Sequence, residues 1–171
     1  MRKLLSSLLL LSCGLLAAQE KYNAIVLEDT ETFTLSSATS GNLQVVRSVR
    51  VFNDAGLAEA VFEEYTDQFR SLSSFKGTLE REGAKPLKIK KEDLVMVSVA
   101  SGLAEDGFVN GYRPNASYPF TVTYEYTMTY RKGIATFPSF LPVSTEKVKL
   151  EKGSYTLQVP SGTTVKTVTP R

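Results

Sequence analysis

The longest regular pattern of hydrophobic and polar positions occupies residues 119–132. Its apolar side chains share one parity and are Phe120, Val122, Tyr124, Tyr126, Met128 and Tyr130, and the positions between them are polar. Alternation with a period of two residues is typical of a β-strand that has one buried and one wet face, and no helix could place these side chains on one side. We therefore predict a long strand whose buried face holds Tyr124 and Tyr126.

Shorter alternating segments recur along the chain, and residues that favour turns separate them. They occupy residues 43–51, 87–90, 95–99, 148–150 and 155–159. Many short strands separated by such turns favour an all-β fold. We predict an antiparallel β-sandwich with long strands and at most one or two short helices.

Two stretches interrupt this pattern. Residues 58–72 mix helical spacing with aromatic and β-branched residues, so we predict a strand to about Tyr65 and then a short helix that begins at Asp67 and uses its carboxylate as a cap. Residues 102–117 are rich in glycine, proline and asparagine and are predicted to form a loop.

The N-terminus has the order of a secretory signal, because Arg2 and Lys3 precede an apolar run that ends in small residues at Ala17-Ala18. We predict a cleaved signal peptide at 1–18, a single β-sandwich domain at 19–168, and at 169–171 the start of a linker or the cut end of a longer chain. The alternative is a lipoprotein signal, since Leu-Leu-Ser-Cys at 10–13 resembles a lipoprotein box in which Cys13 would be lipidated. Either route predicts export.

Charge narrows the choice of partner. The chain has 20 Lys and Arg residues and 18 Asp and Glu residues, and loss of Arg2 and Lys3 with the signal leaves 18 of each. A neutral chain does not attract polyanions, so we predict no nucleic-acid partner. The apolar run at residues 4–16 is shorter than the about 20 residues that cross a membrane, so we predict no membrane span.

Composition also limits chemistry. The chain has no histidine, and its single cysteine, Cys13, lies in the signal. These facts exclude Ser-His-Asp and Cys-His nucleophiles and histidine metal sites, and no nucleotide-binding glycine motif is present. The adjacent carboxylate pairs are Glu63-Glu64, Glu92-Asp93 and Glu105-Asp106, and adjacency in sequence gives no sign of the separation across a cleft that hydrolysis needs. We predict no enzyme, no metal and no cofactor.

Two groups of side chains are candidates for surface roles. Lysines 85, 88, 90 and 91 fit the exposed edge of a sheet, where they would discourage pairing with other chains. The aromatic residues outside the long strand are the candidates for ligand binding, because loops carry function more often than packed strands. These are Tyr112, Tyr118, Phe137 and Phe140.

Several ordered motifs resemble those of one family. They are VFNDAG at 51–56, FKGTL at 75–79, KIKKEDL at 88–94, SYPFTVTYEY at 117–126 and FPSFLP at 137–142. Together they resemble the N-terminal domain of unknown function that precedes transglutaminase-like domains in secreted bacterial proteins, over residues 22–166.

The resemblance implies a β-sandwich accessory domain of a periplasmic or cell-surface protein of a Gram-negative bacterium. In that family the catalytic Cys, His and Asp belong to the following papain-like domain, so no catalytic residue transfers to this chain. We expect a non-catalytic scaffolding or substrate-presenting domain that works with a transglutaminase-like domain in cis or in trans. The alternative is a module that binds a carbohydrate, a cell-wall fragment or a peptide.

Overall fold

A computed structural model describes residues 21–99, 107–134 and 137–165. Its strands are β1 (Ala24–Ser37), β2 (Ser40–Val51), β3 (Phe62–Thr66), β4 (Arg70–Arg81), β5 (Leu87–Lys90), β6 (Val95–Ser98), β7 (Phe108–Tyr112), β8 (Phe120–Tyr130), β9 (Val148–Leu150) and β10 (Gly153–Gln158). Two short 3₁₀ segments span Asp54–Ala60 and Lys91–Asp93. The prediction of an all-β fold is confirmed. The predicted signal peptide with Cys13, the pair Glu105-Asp106 and the C-terminal residues 166–171 lie outside the described residues.

The strands form two sheets. The large sheet has the order β10-β1-β2-β8-β4-β5, with β9 also paired to β1, and the small sheet has the order β3-β7-β6. Most pairs are antiparallel, but β9 and β10 both run parallel to β1, which departs from the predicted antiparallel arrangement. A tight hairpin would have produced antiparallel pairing, whereas the long connection from β8 lets the chain return in the direction of β1.

Strand β8 is the centre of the large sheet, as its alternating pattern predicts. It pairs along its length with β2 on one side and with β4 on the other. Tyr124 is only 2% exposed and Tyr126 is half-buried, so the predicted buried face is confirmed.

The small sheet covers that buried face through Phe62 of β3. Its ring lies 4.7 Å from Phe75, 5.5 Å from Tyr124 and 5.1 Å from Tyr126, measured between centroids. The Tyr124 hydroxyl donates to the carbonyl oxygen of Ala60 at 2.8 Å, which satisfies its polar tip inside the core. Burial of these large rings is the main apolar contribution at the junction of the two sheets.

Two local predictions were wrong. No helix begins at Asp67, because its carboxylate accepts the N–H groups of Phe69 and Arg70, both at 2.7 Å, and thereby closes the turn between β3 and β4. The capping chemistry is the same, but β4 pairing with β8 takes the following residues into a sheet. Of the predicted loop 102–117, residues 102–106 lie outside the described residues, 108–112 form strand β7 between β3 and β6, and 113–117 have no regular structure.

The described residues include no helix that is long and apolar enough to cross a membrane.

Candidate functional site

The predicted binding residues Tyr112 and Tyr118 pack against the core. Tyr112 meets Tyr124 edge-on, with 6.4 Å between ring centroids. Tyr118 stacks on Phe120 at 5.5 Å and donates its hydroxyl to Asp54 at 2.8 Å. Both side chains are half-buried, so much of the surface that a sugar ring would need is already used.

The other two predicted residues lie against different strands. Phe137 meets Phe33 of β1 edge-on at 5.5 Å and remains 45% exposed. Phe140 lies 6.1 Å from the ring of Tyr155 on β10. The four aromatic residues therefore divide into two pairs, one against β8 and one against β1 and β10, and they do not form one platform.

The two outer sheet edges formed by β5 and β6 differ in chemistry. Strand β5 is an end strand of the large sheet, and the predicted lysines are exposed there, with 88 and 90 on the strand, 85 before it and 91 after it, as the edge prediction requires. Strand β6 is one of the two end strands of the small sheet and has no charged residue. Its Val95, Met96 and Val97, together with Val99 beyond it, are each between 56% and 65% exposed. Exposed apolar surface on an unguarded edge strand is typical of a site that binds protein.

A cluster of charged side chains lies on the buried face of the large sheet, and Arg47 of β2 is at its centre. Its guanidinium pairs with Asp29 on the neighbouring strand β1 and with Glu59 at 2.8 Å, and it also donates to the Pro142 carbonyl at 3.0 Å. Both acidic partners are 3% exposed. A buried charge needs such partners, because removal from water disfavours an isolated ion.

Glu59 is also bonded to the segment that leads to β9. Its Oε1 accepts the backbone N–H groups of Ser144 and Thr145, both at 3.0 Å, and their hydroxyls at 2.8 and 2.9 Å. Burial acts to raise the pKa of Glu59, but these hydrogen bonds and the charge of Arg47 outweigh it and hold the pKa below its ordinary value.

Glu31 has no comparable support. It lies two residues from Asp29 on the same face of β1, and its Oε2 is buried without a hydrogen-bond partner among the described residues. Burial raises the pKa of Glu31 to about 7, and the charges of Asp29 and Glu64 add to this rise while Arg47 opposes it. Burial likewise raises the pKa of Asp29, against the opposing effect of Arg47.

Glu64 enters the cluster from β3, in the facing sheet. Its Oε1 accepts the hydroxyl of Tyr126 at 2.9 Å. Burial raises the pKa of Glu64, and the Tyr126 hydrogen bond and Arg70 partly offset the rise. Carboxylates with raised pKa values are common at functional sites, although structural ion networks also produce them.

Sequence reasoning missed this cluster because of one irregularity in β1. The pairing of β1 with β2 shifts register between Val26 and Glu28. The shift places Asp29 and Glu31 on the face that also carries Phe33. A signal was present, since Phe33 and Leu35 continue the parity of these two carboxylates.

The carboxylate pairs that are adjacent in sequence do not converge. Glu63 is exposed and Glu64 faces inward, because successive side chains of a strand point to opposite faces. Asp93 accepts the Lys90 N–H at 2.8 Å and caps a turn. Across the described part of the chain, no group of three or more acidic, histidine or cysteine side chains is arranged to hold a metal ion.

No family model matches the sequence, and neither does any curated protein. Among solved structures, a "putative protease" from Parabacteroides distasonis ATCC 8503 is similar to this chain with a TM-score of 0.65 and 12% identity. The similarity covers 83% of this chain and 30% of that chain. Yeast LTA4 hydrolase in complex with bestatin is a weaker match, with a TM-score of 0.29, 9% identity and coverage of 61% of this chain and 14% of that one. This chain thus shares its fold with a minor part of the Parabacteroides protein.

Proposed function

We propose that this chain is a non-catalytic accessory domain of an exported transglutaminase-like protein, which scaffolds the catalytic unit or presents substrate to it. The observation that carries the proposal is the similarity of its fold to 30% of a much longer chain described as a protease. A domain that forms a fraction of a larger hydrolytic protein fits an accessory role. Fold alone does not define function, so the proposal also draws on the motifs at 51–56, 75–79, 88–94, 117–126 and 137–142.

The residues of the chain fit a division of labour. The sequence has no histidine and no cysteine other than Cys13, so a thiol or serine nucleophile with an imidazole base would have to come from another unit. The basic, apolar and small-residue order of residues 1–18 supports export to the periplasm or cell surface.

The surface of β6 is the contact that we assign to the catalytic unit. Its apolar side chains are exposed and the strand has no charged residue, whereas lysines guard β5, an end strand of the large sheet. An accessory domain needs one surface that binds a protein and others that do not. The apolar surface of β6 and the lysine-rich edge at β5 differ in this way.

The test is calorimetric titration of the chain with the purified transglutaminase-like domain encoded nearest to it in its genome. We expect binding, and we expect Val97→Lys to weaken it at least tenfold because a charge would be buried at the contact. The matched control is Leu87→Lys, which changes an equally exposed apolar residue on the β5 edge and should leave affinity unchanged.

The outcomes separate two claims. Absence of any binding by the unaltered chain would contradict the accessory role. Binding that both lysine variants retain in full would leave the accessory role in place and move the contact away from β6.

A second candidate function is binding of a carbohydrate or cell-wall fragment. The observation in its favour is the exposed ring of Phe137, which is 45% accessible. Stacking on a sugar needs an exposed aromatic face, and the rings of Tyr112 and Tyr118 are half-buried. A glycan array with the chain and its Phe137→Ala variant tests this function. We expect the unaltered chain to bind a glycan and the variant to lose that binding, and no binding by the unaltered chain would contradict the function.

A further inference from the structure

Glu31 and Tyr155 lie opposite each other on neighbouring strands at the edge of the large sheet. The two residues are register partners on the parallel strands β1 and β10. Glu31 Oε2 and Tyr155 OH are both buried and lack hydrogen-bond partners among the described residues, and the same holds for Oδ1 of Asp29. Buried polar atoms are nearly always bonded, so three such atoms on neighbouring positions indicate a site that takes up something small.

The groups around Glu31 carry an excess of negative charge. The charged and titratable groups that face it are Asp29 on β1, Arg47 on β2, Glu64 on β3, Tyr126 and Tyr130 on β8 and Tyr155 on β10. Arg47 is shared between Asp29 and Glu59, and Arg70 acts on Glu64. No cation of the described residues forms an ion pair with Glu31, so a proton is the simplest ligand that would neutralise it.

We propose that Glu31 is a proton-binding site that controls how firmly β10 is held on the edge of the large sheet. In its neutral form the carboxyl group has one O–H donor, and the Tyr155 oxygen and Asp29 Oδ1 are acceptors at neighbouring positions. Loss of the proton to solvent leaves a buried anion between two other carboxylates and next to β10. Release of β10 opens this position to water, which favours the anion.

Strand β10 can respond to such a change because it is held weakly. It has only six residues, none of them fully buried, and β1 is its one partner in the large sheet. Elements with few buried contacts open locally at a small fraction of the global unfolding free energy. The pKa of about 7 that burial and the charges of Asp29 and Glu64 give to Glu31 places the response near neutral pH.

The test is amide hydrogen exchange of the chain at pH 6 and pH 8, corrected for the intrinsic pH dependence of exchange. If opening of β10 returns Glu31 from a pKa of about 7 to its ordinary 4.5, protection of the β10 amides should fall about tenfold over this range. The amides of β8 should keep their protection. In Glu31→Gln, which holds the site permanently neutral, protection of β10 should not change with pH.

The matched control is Glu151→Gln, an exposed carboxylate just before β10, which should retain the pH response. A β10 response that persists in Glu31→Gln, or an unaltered chain whose β10 protection is equal at both pH values, would overturn the proposal. A titration of the Glu31 carboxyl carbon by NMR in the unaltered chain gives an independent reading that needs no variant. A midpoint near that of an exposed glutamate would also overturn it. None of these results depends on the accessory function.

Discussion

Glu59 accepts both the backbone N–H and the hydroxyl of Ser144, at 3.0 and 2.8 Å. Ser144 belongs to the long connection between β8 and β9, and Glu59 belongs to the 3₁₀ segment Asp54–Ala60. The other oxygen of Glu59 pairs with Arg47 in the large sheet. One carboxylate therefore holds the sheet, the 3₁₀ segment and the connection to the last two strands together.

Replacement of this carboxylate should be among the most damaging single changes. Glu59→Ala leaves Arg47 with one buried partner fewer and frees the N–H groups of Ser144 and Thr145. Breaking a buried ion pair from one side costs about 3–5 kcal/mol, and we expect a loss of that order in the free energy of unfolding by urea. The control is Glu63→Ala, an exposed glutamate on β3, which should change stability by less than about 0.5 kcal/mol. Similar losses in the two variants would contradict the assigned role.

We expect Glu31 to make the folded chain less stable as the pH rises, whereas a carboxylate paired with a cation makes it more stable. Its folded pKa of about 7 lies above its ordinary 4.5, so the folded state holds the extra proton between these values. The free energy of unfolding should then fall as the pH rises from about 4.5 to 7. Glu31→Gln should be more stable than the unaltered chain at pH 8, by about 1–3 kcal/mol, and equal to it at pH 4. Urea titrations at both pH values measure the difference, and an equal effect at pH 4 and pH 8 would count against it.

Gly56 should not tolerate even a methyl group. A Cβ atom at this position would lie 2.1 Å from the carbonyl oxygen of Asn23, which is backbone and cannot move aside cheaply. We expect Gly56→Ala to lower the free energy of unfolding by about 3 kcal/mol or more. Gly111→Ala in β7 is the matched control, because its Cβ would meet nothing closer than 3.6 Å. Thermal unfolding of both variants measures the difference in stability. If Gly56→Ala is no less stable than Gly111→Ala, the close approach of Gly56 to Asn23 is not confirmed.

The hydrogen bond from Tyr126 should be visible in the titration of Glu64. This bond offsets part of the rise that burial causes in the pKa of Glu64. Tyr126→Phe removes the donor without opening the core, so the pKa of Glu64 should rise further. Carboxyl NMR titration of both forms measures the shift. Tyr124→Phe, which removes a hydroxyl bonded instead to Ala60, should leave the Glu64 titration unchanged, and a lower pKa in Tyr126→Phe would exclude the assigned bond.

Parts of the fold that depend on side-chain period could be predicted from the sequence. The alternation at 119–132 gave β8 and its buried tyrosines, because exposure on the two faces of a strand is set by parity alone. The lysines near residue 88 marked an outer strand, since charge at an edge prevents pairing. The parallel course of β9 and β10 could not be read in this way, because local patterns do not encode which strand a segment will pair with.

The candidate sites could likewise not be predicted from local sequence patterns, because they depend on contacts between distant parts of the chain. The apolar residues of 95–99 alternate in the manner of a half-buried strand, yet β6 is exposed on both faces, and exposure depends on what the rest of the fold places against a strand. Asp29 and Glu31 share the parity of Phe33, but the register shift near Glu28 separates them from the parity of the buried residues at the start of β1, so the alternation along β1 does not run unbroken. Tyr112 and Tyr118 appear free in a loop, but each finds an aromatic partner on β8.

The parallel pairing of β1 with β9 and β10 also sets how the domain would carry a mechanical load. Ala24 begins β1, and Gln158 ends β10 beside Thr34 near the far end of the same strand. A pull between these two points runs along the strands, so it loads the hydrogen bonds of the whole β1–β10 ladder at once, whereas a hairpin would open one bond at a time. Tethered at both ends, the domain would resist extension by shear.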